Sequence, residues 1–284
     1  MHTVTSIDTI RKSVQELRAQ GGTIGFVPTM GALHEGHLSL VRKAKQENKT
    51  VIVTIFVNPS QFGPHEDYER YPRDIEKDSA LVQEAGGDII FAPEADEMYP
   101  SGYSSFVTVE GLSSVLEGKF RPTHFKGVAT IVVKLFNIVQ PDVAYFGQKD
   151  AQQCALIKKM VADLNIPVRI EIGATVREHD GLAMSSRNVY LNAEERSNAP
   201  VLYASLQRAA DAIDKGERSV KKIIAVMDDM IRSKGAAQID YIEIVDAGNL
   251  SAKEILHSGD TVLIPLAVRF GTTRLIDNII VRVR

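Results

Sequence analysis

The sequence predicts an α/β protein built on a doubly wound parallel sheet with a smaller α+β domain after it, and three observations predict this. Short apolar runs alternate with segments of helical periodicity from the N-terminus to about residue 175, the pattern of repeated β-α-β units. Beyond Thr175 the alternation gives way to two helical segments and then three strand-like runs. The 284 residues, 44% hydrophobic and 24% charged, are enough to bury two packed units.

Taken in order, residues 6–20 form the first helix, with Ile7, Ile10, Val14 and Leu17 at helical spacing and Gly21-Gly22 ending it. Thr23 to Val27 reads as a strand, Pro28 to Gly36 as a loop, and a helix starts near His37 with Leu38, Leu40, Val41 and Ala44 as its apolar positions. A strand at 50–57 completes one β-α-β unit. The alternation continues with a helix near 74–85, a strand at 88–91, a helix at 127–139, a strand at 142–146, a helix at 150–164 and a strand at 168–174. Helices at about 200–214 and 218–234 and strands at 238–246, 261–268 and 273–283 follow, with Gly271-Thr272 turning the last two into a hairpin. The expected division is a Rossmann-like domain over 1–175 and a smaller C-terminal α+β domain over 176–284. Ligands of such sheets bind beyond the carboxyl ends of the strands. The loops after 23–27, 50–57 and 142–146 are therefore expected to carry chemistry.

Composition narrows the function. A net charge of -3 supplies no field that recruits nucleic acid, and no run of like charges marks a tail. Cys154 is the one cysteine, which excludes an intrachain disulfide and a multi-cysteine zinc site and fits a reducing compartment. The N-terminus lacks an apolar core of signal-peptide length and no long uncharged stretch follows, so a soluble cytoplasmic protein working on small molecules, with no membrane partner, is expected.

Two segments stand out chemically. His34-Glu35-Gly36-His37, after the first predicted strand, sets two imidazoles at i and i+3 near a helix N-terminus. Unpaired amides and a partial positive charge suit a phosphate there. Gly36 leaves room for a nucleotide to approach the backbone, and two imidazole donors can stabilise charge on an α-phosphate. Either histidine alone reads as a surface or capping residue; the pair in this place reverses that reading. A zinc-protease helix needs its histidines at i and i+4, and neither a P-loop nor Gly-x-Gly-x-x-Gly is present. The second segment, Met184-Ser185-Ser186-Arg187-Asn188, offers two hydroxyls and a guanidinium able to hold β- and γ-phosphates. Alone it reads more readily as a polar turn and helix cap.

The combination resembles the nucleotidyltransferase superfamily that carries a His-x-Gly-His motif, which includes class I aminoacyl-tRNA synthetases. A narrower resemblance rests on Pro28-Thr29-Met30-Gly31-Ala32-Leu33-His34-Glu35-Gly36-His37, Phe56-Val57-Asn58-Pro59-Ser60-Gln61-Phe62, Tyr71-Pro72-Arg73, Phe146-Gly147-Gln148-Lys149-Asp150 with Gln153, and Met184-Ser185-Ser186-Arg187-Asn188. These blocks, in this order, are similar to those of the pantothenate synthetases, ligases that join pantoate to β-alanine through an acyl-adenylate. The resemblance implies ATP binding by Met30, Gly31, Ala32, Leu33, His34, Glu35, Gly36 and His37, with His37 as catalytic acid and donor. It implies a second nucleotide loop at Gly147, Gln148, Lys149 and Asp150, an adenine contact at Val176, and a triphosphate clamp at Met184, Ser185, Ser186 and Arg187. Lys149 and Arg187 join His34 and His37 as catalytic candidates. Gln61 and Gln153 are implied to bind pantoate, and Gln61 also β-alanine.

Arg121, His124 and Tyr71 match places near the family's site, as rim or interface residues do. Gln148 stands where many members carry Glu, one acidic group fewer near a metal. Mg2+ is expected to accompany ATP, with no residue assigned as its ligand, and a homodimer is implied. Another His-x-Gly-His nucleotidyltransferase making a nucleotide-linked product is the alternative; the Asn58–Phe62 and Gln148–Gln153 blocks argue against it. A nucleotide-binding regulatory module without turnover is disfavoured by the intact His34, His37, Lys149 and Arg187. Transfer-RNA charging is disfavoured by the absence of basic excess.

Overall fold

The structure is a computed structural model that describes residues 1–64, 66–234 and 237–284. Contacts divide the chain into two compact units, Met1–Gln148 with Gln153–Ala174, and Lys149–Gln152 with Thr175–Arg284.

The first unit is a six-stranded sheet of β1 (His2–Val4), β2 (Ile24–Thr29), β3 (Thr50–Ile55), β4 (Ile89–Phe91), β5 (Val143–Gly147) and β6 (Arg169–Gly173), ordered β1-β4-β3-β2-β5-β6. All pairs are parallel. Alternate strand residues feed separate cores on opposite faces. Ile24, Phe26, Ile52, Phe91 and Phe146 pack with α1 (Ile7–Ala19), α6 (His124–Val139) and α7 (Ala151–Asp163), whereas Val27, Val51, Val53, Ile90 and Tyr145 pack with α2 (Glu35–Glu47) and α3 (Ile75–Glu84). Burial on both faces explains the continuous apolar runs. Two short helices, α4 (Ala95–Met98) and α5 (Glu117–Phe120), interrupt the connection from β4 to α6. The chain goes from β2 to β3 on one side and returns to β5 on the other, so the sheet reverses its winding at β2 and β5. That is where such sheets bind ligands.

The second unit holds α8 (Ala193–Asn198), α9 (Val201–Asp214) and α10 (Val220–Arg232), with an antiparallel sheet of β7 (Ala237–Ile242), β8 (Val245–Asp246), β9 (Thr261–Phe270) and β10 (Thr273–Arg282). Leu202, Leu206, Ile213, Ile223, Met227 and Ile231 from the helices meet Val262, Ile264, Leu266, Val268 and Phe270 of β9. Phe270 pairs with Thr273 across Gly271-Thr272, and Gly271 has φ +53°, so the expected hairpin forms with glycine where positive φ is needed.

Three sequence expectations need correction, and one strand falls outside all of them. The helix expected near His37 begins at Glu35 because His34 itself caps it. The helix expected from 127 begins at His124, and Gly127 lies inside α6 where the helix meets the backbone of Ser60. The strand expected over 238–246 splits into β7 and β8 opposite Pro265, which has no N–H to give to a ladder. Finally, β1 is hidden in the polar N-terminus, since three residues are too few to carry a period.

Candidate active site

The loop after β2 is shaped before either histidine is reached. Gly31 and Ala32 are both left-handed, at φ +81° and +51°, which is costly for alanine without an external hold. Asp78 of α3 supplies it. Its Oδ2 accepts from the Ala32 N–H and its Oδ1 from the Leu33 N–H, each at 2.8 Å. A Cβ on Gly31 would lie 2.9 Å from Asp78 Oδ2, so glycine is required by contact as well as by φ. Burial raises the Asp78 pKa above the ordinary carboxyl value, against the lowering effect of the two N–H donors.

His34 is the N-cap of α2 and His37 its third residue. His34 Nδ1 accepts from the Gly36 N–H at 3.2 Å, and His37 Nδ1 accepts from the His34 N–H at 3.4 Å. The two imidazoles thus form a reciprocal capping box, a role usually taken by Ser or Thr with Glu. Their ring centroids are 4.1 Å apart. An imidazole that accepts at Nδ1 carries its proton on Nε2 when it is neutral, and in that form the two rings would present neighbouring Nε2–H donors at the positive end of a 13-residue helix. The space left by Gly36 is filled differently from expectation: a Cβ there would meet the His34 ring at 2.9 Å, so the glycine admits the capping imidazole.

Gln61 ends the turn after β3, within a 3-10 turn at Pro59–Gln61. Its side chain is oriented from both sides: Oε1 accepts from Asn58 Nδ2 at 3.0 Å, and Nε2 donates to Met30 Sδ at 2.8 Å. Asn58, 1% exposed, also accepts at Oδ1 from the Tyr99 hydroxyl (2.8 Å) and from Ser60 Oγ (2.9 Å), and donates to the Gly127 carbonyl (3.2 Å). Behind the turn, His124 Nδ1 lies 3.0 Å from the Gln61 carbonyl and Arg121 Nη1 3.2 Å from His124 Nε2. A neutral imidazole with Nδ1 protonated satisfies both contacts. Burial first, and the Arg121 charge second, push the His124 pKa down to about 4. Arg121 is paired in turn with Glu66. Tyr71 is buried with its ring centroid 6.0 Å from that of Phe62.

Gly147 and Gln148 close β5 in the first unit, where the Cys154 thiol donates to the Gly147 carbonyl at 3.3 Å; Gln153 is half-buried one residue before it. A buried thiol so engaged behaves as a small core residue. In the second unit, Lys149 Nζ is 3.8 Å from Asp150 Oδ1. The Val176 carbonyl accepts from the Met184 N–H at 3.0 Å and Arg177 bridges to Ala183, which makes a tight two-stranded turn. Ser185 follows immediately and caps the 3-10 turn Ser186–Tyr190 by accepting from the Arg187 N–H at 3.2 Å. The serine-arginine segment is therefore a cap, in keeping with its reading in isolation, on a turn pinned to Val176. Among the described residues no group of three or more His, Cys, Asp or Glu side chains is gathered for a metal ion.

The model of the pantoate–β-alanine ligase family matches residues 2–280. The chain belongs to that family. A pantothenate synthetase of Acetivibrio thermocellus is 54% identical over 283 residues, covering 100% of both chains, and one of Caldicellulosiruptor saccharolyticus is 55% identical over 283 residues, also covering 100% of both. The crystal structure of pantothenate synthetase from Thermus thermophilus superposes with a TM-score of 0.92 at 47% identity, covering 98% of this chain and 99% of that one. That of pantoate–β-alanine ligase from Francisella tularensis, complexed with β-γ ATP and β-alanine, gives 0.81 at 35% identity over 98% and 97%.

For a member of the pantoate–β-alanine ligases, two residues of structural consequence escape the sequence reading. Asp78 lies inside an amphipathic helix that predicts an exposed carboxylate, and its burial follows only from how α3 crosses the loop after β2. Asn58 reads as a turn residue before proline, and its side chain does make that turn, but it also orients Gln61. An Asn-Pro turn whose next polar residue is a candidate ligand is the available signal.

Proposed function

We propose that the chain condenses (R)-pantoate with β-alanine, consuming ATP and releasing AMP and pyrophosphate, through an enzyme-bound pantoyl-adenylate. The observation that carries this reading is the pair of neighbouring imidazoles, His34 and His37, whose Nδ1 atoms cap α2 in a chain of this family. A pantoate carboxylate oxygen attacks the α-phosphorus of Mg-ATP, and the bond to pyrophosphate breaks. His37, assisted by His34, donates to the phosphate as charge accumulates on it. The β-alanine amine then attacks the acyl carbon, and the carbon–oxygen bond to AMP breaks. No enzyme nucleophile is needed, since positioning alone can supply about 7–11 kcal/mol.

Met30 to His37 and Gly147 to Asp150 receive the nucleotide, Val176 meets the adenine through its backbone, and Met184 to Arg187 hold the departing phosphates, with Lys149 and Arg187 neutralising charge. Gln61 and Gln153 bind pantoate, and Gln61 also β-alanine. Support for Gln61 comes from its oriented amide. The Mg2+ arrives with ATP. The chain acts in the cytoplasm as a homodimer of two-domain subunits, divided at 175/176; support is the family resemblance together with the lack, among the described residues, of a helix long and apolar enough to cross a membrane. This step supplies pantothenate, and through it coenzyme A. The test is pantoate-dependent exchange of labelled pyrophosphate into ATP without β-alanine, followed by amide formation when the amine is added. Folded protein that binds ATP yet gives neither exchange nor amide would remove the substrate assignment.

A further inference from the structure

Asp277 and Asn278 are consecutive residues of β10, 2% and 4% exposed, in a strand whose other buried positions include Leu275. Two polar residues at such positions cost desolvation that apolar ones avoid. Their partners give the reason for their presence. Asp277 grips the Arg177 guanidinium at two points, Oδ2 to Nη1 at 2.6 Å and Oδ1 to Nη2 at 3.0 Å, and Oδ1 also accepts from the Asn278 N–H at 2.7 Å. Asn278 Nδ2 donates to the Lys149 carbonyl at 2.8 Å. Since β10 is an edge strand, its outer polar groups are open to a loop, and Arg177 fills that place. Arg177 is further fixed 3.7 Å over the Tyr203 ring of α9 and by donation to the Gly181 carbonyl. It is also the residue after Val176 and one strand of the turn that delivers Ser185 to Arg187.

We propose that Asp277 and Asn278 are positioning residues for the nucleotide, holding the Lys149 backbone and the Val176–Arg187 loop in one register. The proposal rests on the reading that Lys149, Val176 and Ser185 to Arg187 hold ATP. One dipeptide on one strand then sets the spacing of three nucleotide-binding segments. It also accounts for the grouping of Lys149–Gln152 with the C-terminal unit and apart from the rest of α7.

Asn278→Ala, Asp277→Asn and, in parallel, Lys149→Ala are compared with wild type in the full chain, by steady-state kinetics in each substrate and by thermal shift with Mg-ATP. Loss of the bond to the half-buried Lys149 carbonyl is expected to raise KM for ATP about tenfold in Asn278→Ala. KM for pantoate and β-alanine should stay at wild-type values. Asp277→Asn should act in the same direction with a lower Tm; should it fail to fold, Asn278→Ala decides alone. A lowered Tm with an unchanged KM for ATP in Asn278→Ala, or an equal rise in all three KM values, overturns the proposal and leaves a purely structural role. If Lys149→Ala is also without effect on ATP kinetics, the nucleotide reading of this half falls, and the proposal with it. If only Lys149→Ala is impaired, the nucleotide reading stands and the positioning role is wrong.

Discussion

His34 and His37 spend Nδ1 on backbone N–H groups of the same helix start, and this is what turns a capping device into a donor pair. Substituting His37 by Ala removes one donor and half of the capping box. The expected cost is about 2.7–4 kcal/mol in the rate, a drop of about 10²–10³ in kcat, with a stability loss near the ~1 kcal/mol typical of a helix cap. Pyrophosphate exchange and a melting curve on one preparation check this: early melting with undiminished kcat would reduce His37 to a cap. His124 makes a second prediction, through pH. With its pKa lowered to about 4 in the fold, against 6.5 as a free side chain, the unfolded chain takes up a proton between those values and the native chain does not. Stability linked to His124 is thus fully present above pH 6.5 and is lost as pH falls toward 4. Comparing Tm between about pH 7 and about pH 4.5 for wild type and His124→Asn should show a shallower decline in the variant; parallel curves would mean that the imidazole titrates in the fold as it does in the unfolded chain.

At the scale of elements, the candidate site depends on close approaches that only particular residues permit. α6 lies so near the turn at Pro59–Gln61 that a Cβ on Gly127 would come within 2.4 Å of the Ser60 carbonyl oxygen. Gly127→Ala is expected to push the turn from the helix at a cost of about 1–3 kcal/mol, despite alanine's better helix propensity, and to raise KM for pantoate more than KM for ATP. A stabilised variant with wild-type kinetics would show that the turn moves freely. The complementary case is Asp78→Asn. The Ala32 and Leu33 N–H groups meet different carboxylate oxygens, and an amide sets an NH2 donor against one of them, so a loss of about 1–3 kcal/mol should appear with a raised KM for ATP and an unchanged KM for pantoate. Unaltered ATP kinetics would remove Asp78 from control of the loop. These approaches also explain what was legible. The central strands and helices followed from apolar runs and their alternation with helical periods, the His34–His37 segment from residue type at a strand's end, and the Asn58–Gln61 segment from the family resemblance. Gly127, Asp78 and Asp277-Asn278 were not legible, because each is explained by a partner 45 or more positions away, which no local period records.

For the whole molecule, the chemistry reduces to holding two substrates and a nucleotide until one oxygen has changed owner. That oxygen provides a test independent of any single residue. In the adenylate route, a carboxylate oxygen of pantoate bonds to the α-phosphorus, and the same atom leaves with AMP when the amine displaces it. Pantoate labelled with ¹⁸O in its carboxylate should therefore yield AMP carrying one ¹⁸O and pantothenate that retains the other in its amide, with pyrophosphate unlabelled. A route through an acyl phosphate formed at the γ-position would place the label in inorganic phosphate and leave ADP. Mass spectrometry of the products distinguishes the routes in one turnover. The first outcome is the one expected if, as proposed, the histidine pair at the N-terminus of α2, beside the reversal of the sheet, meets the charge at the α-phosphate.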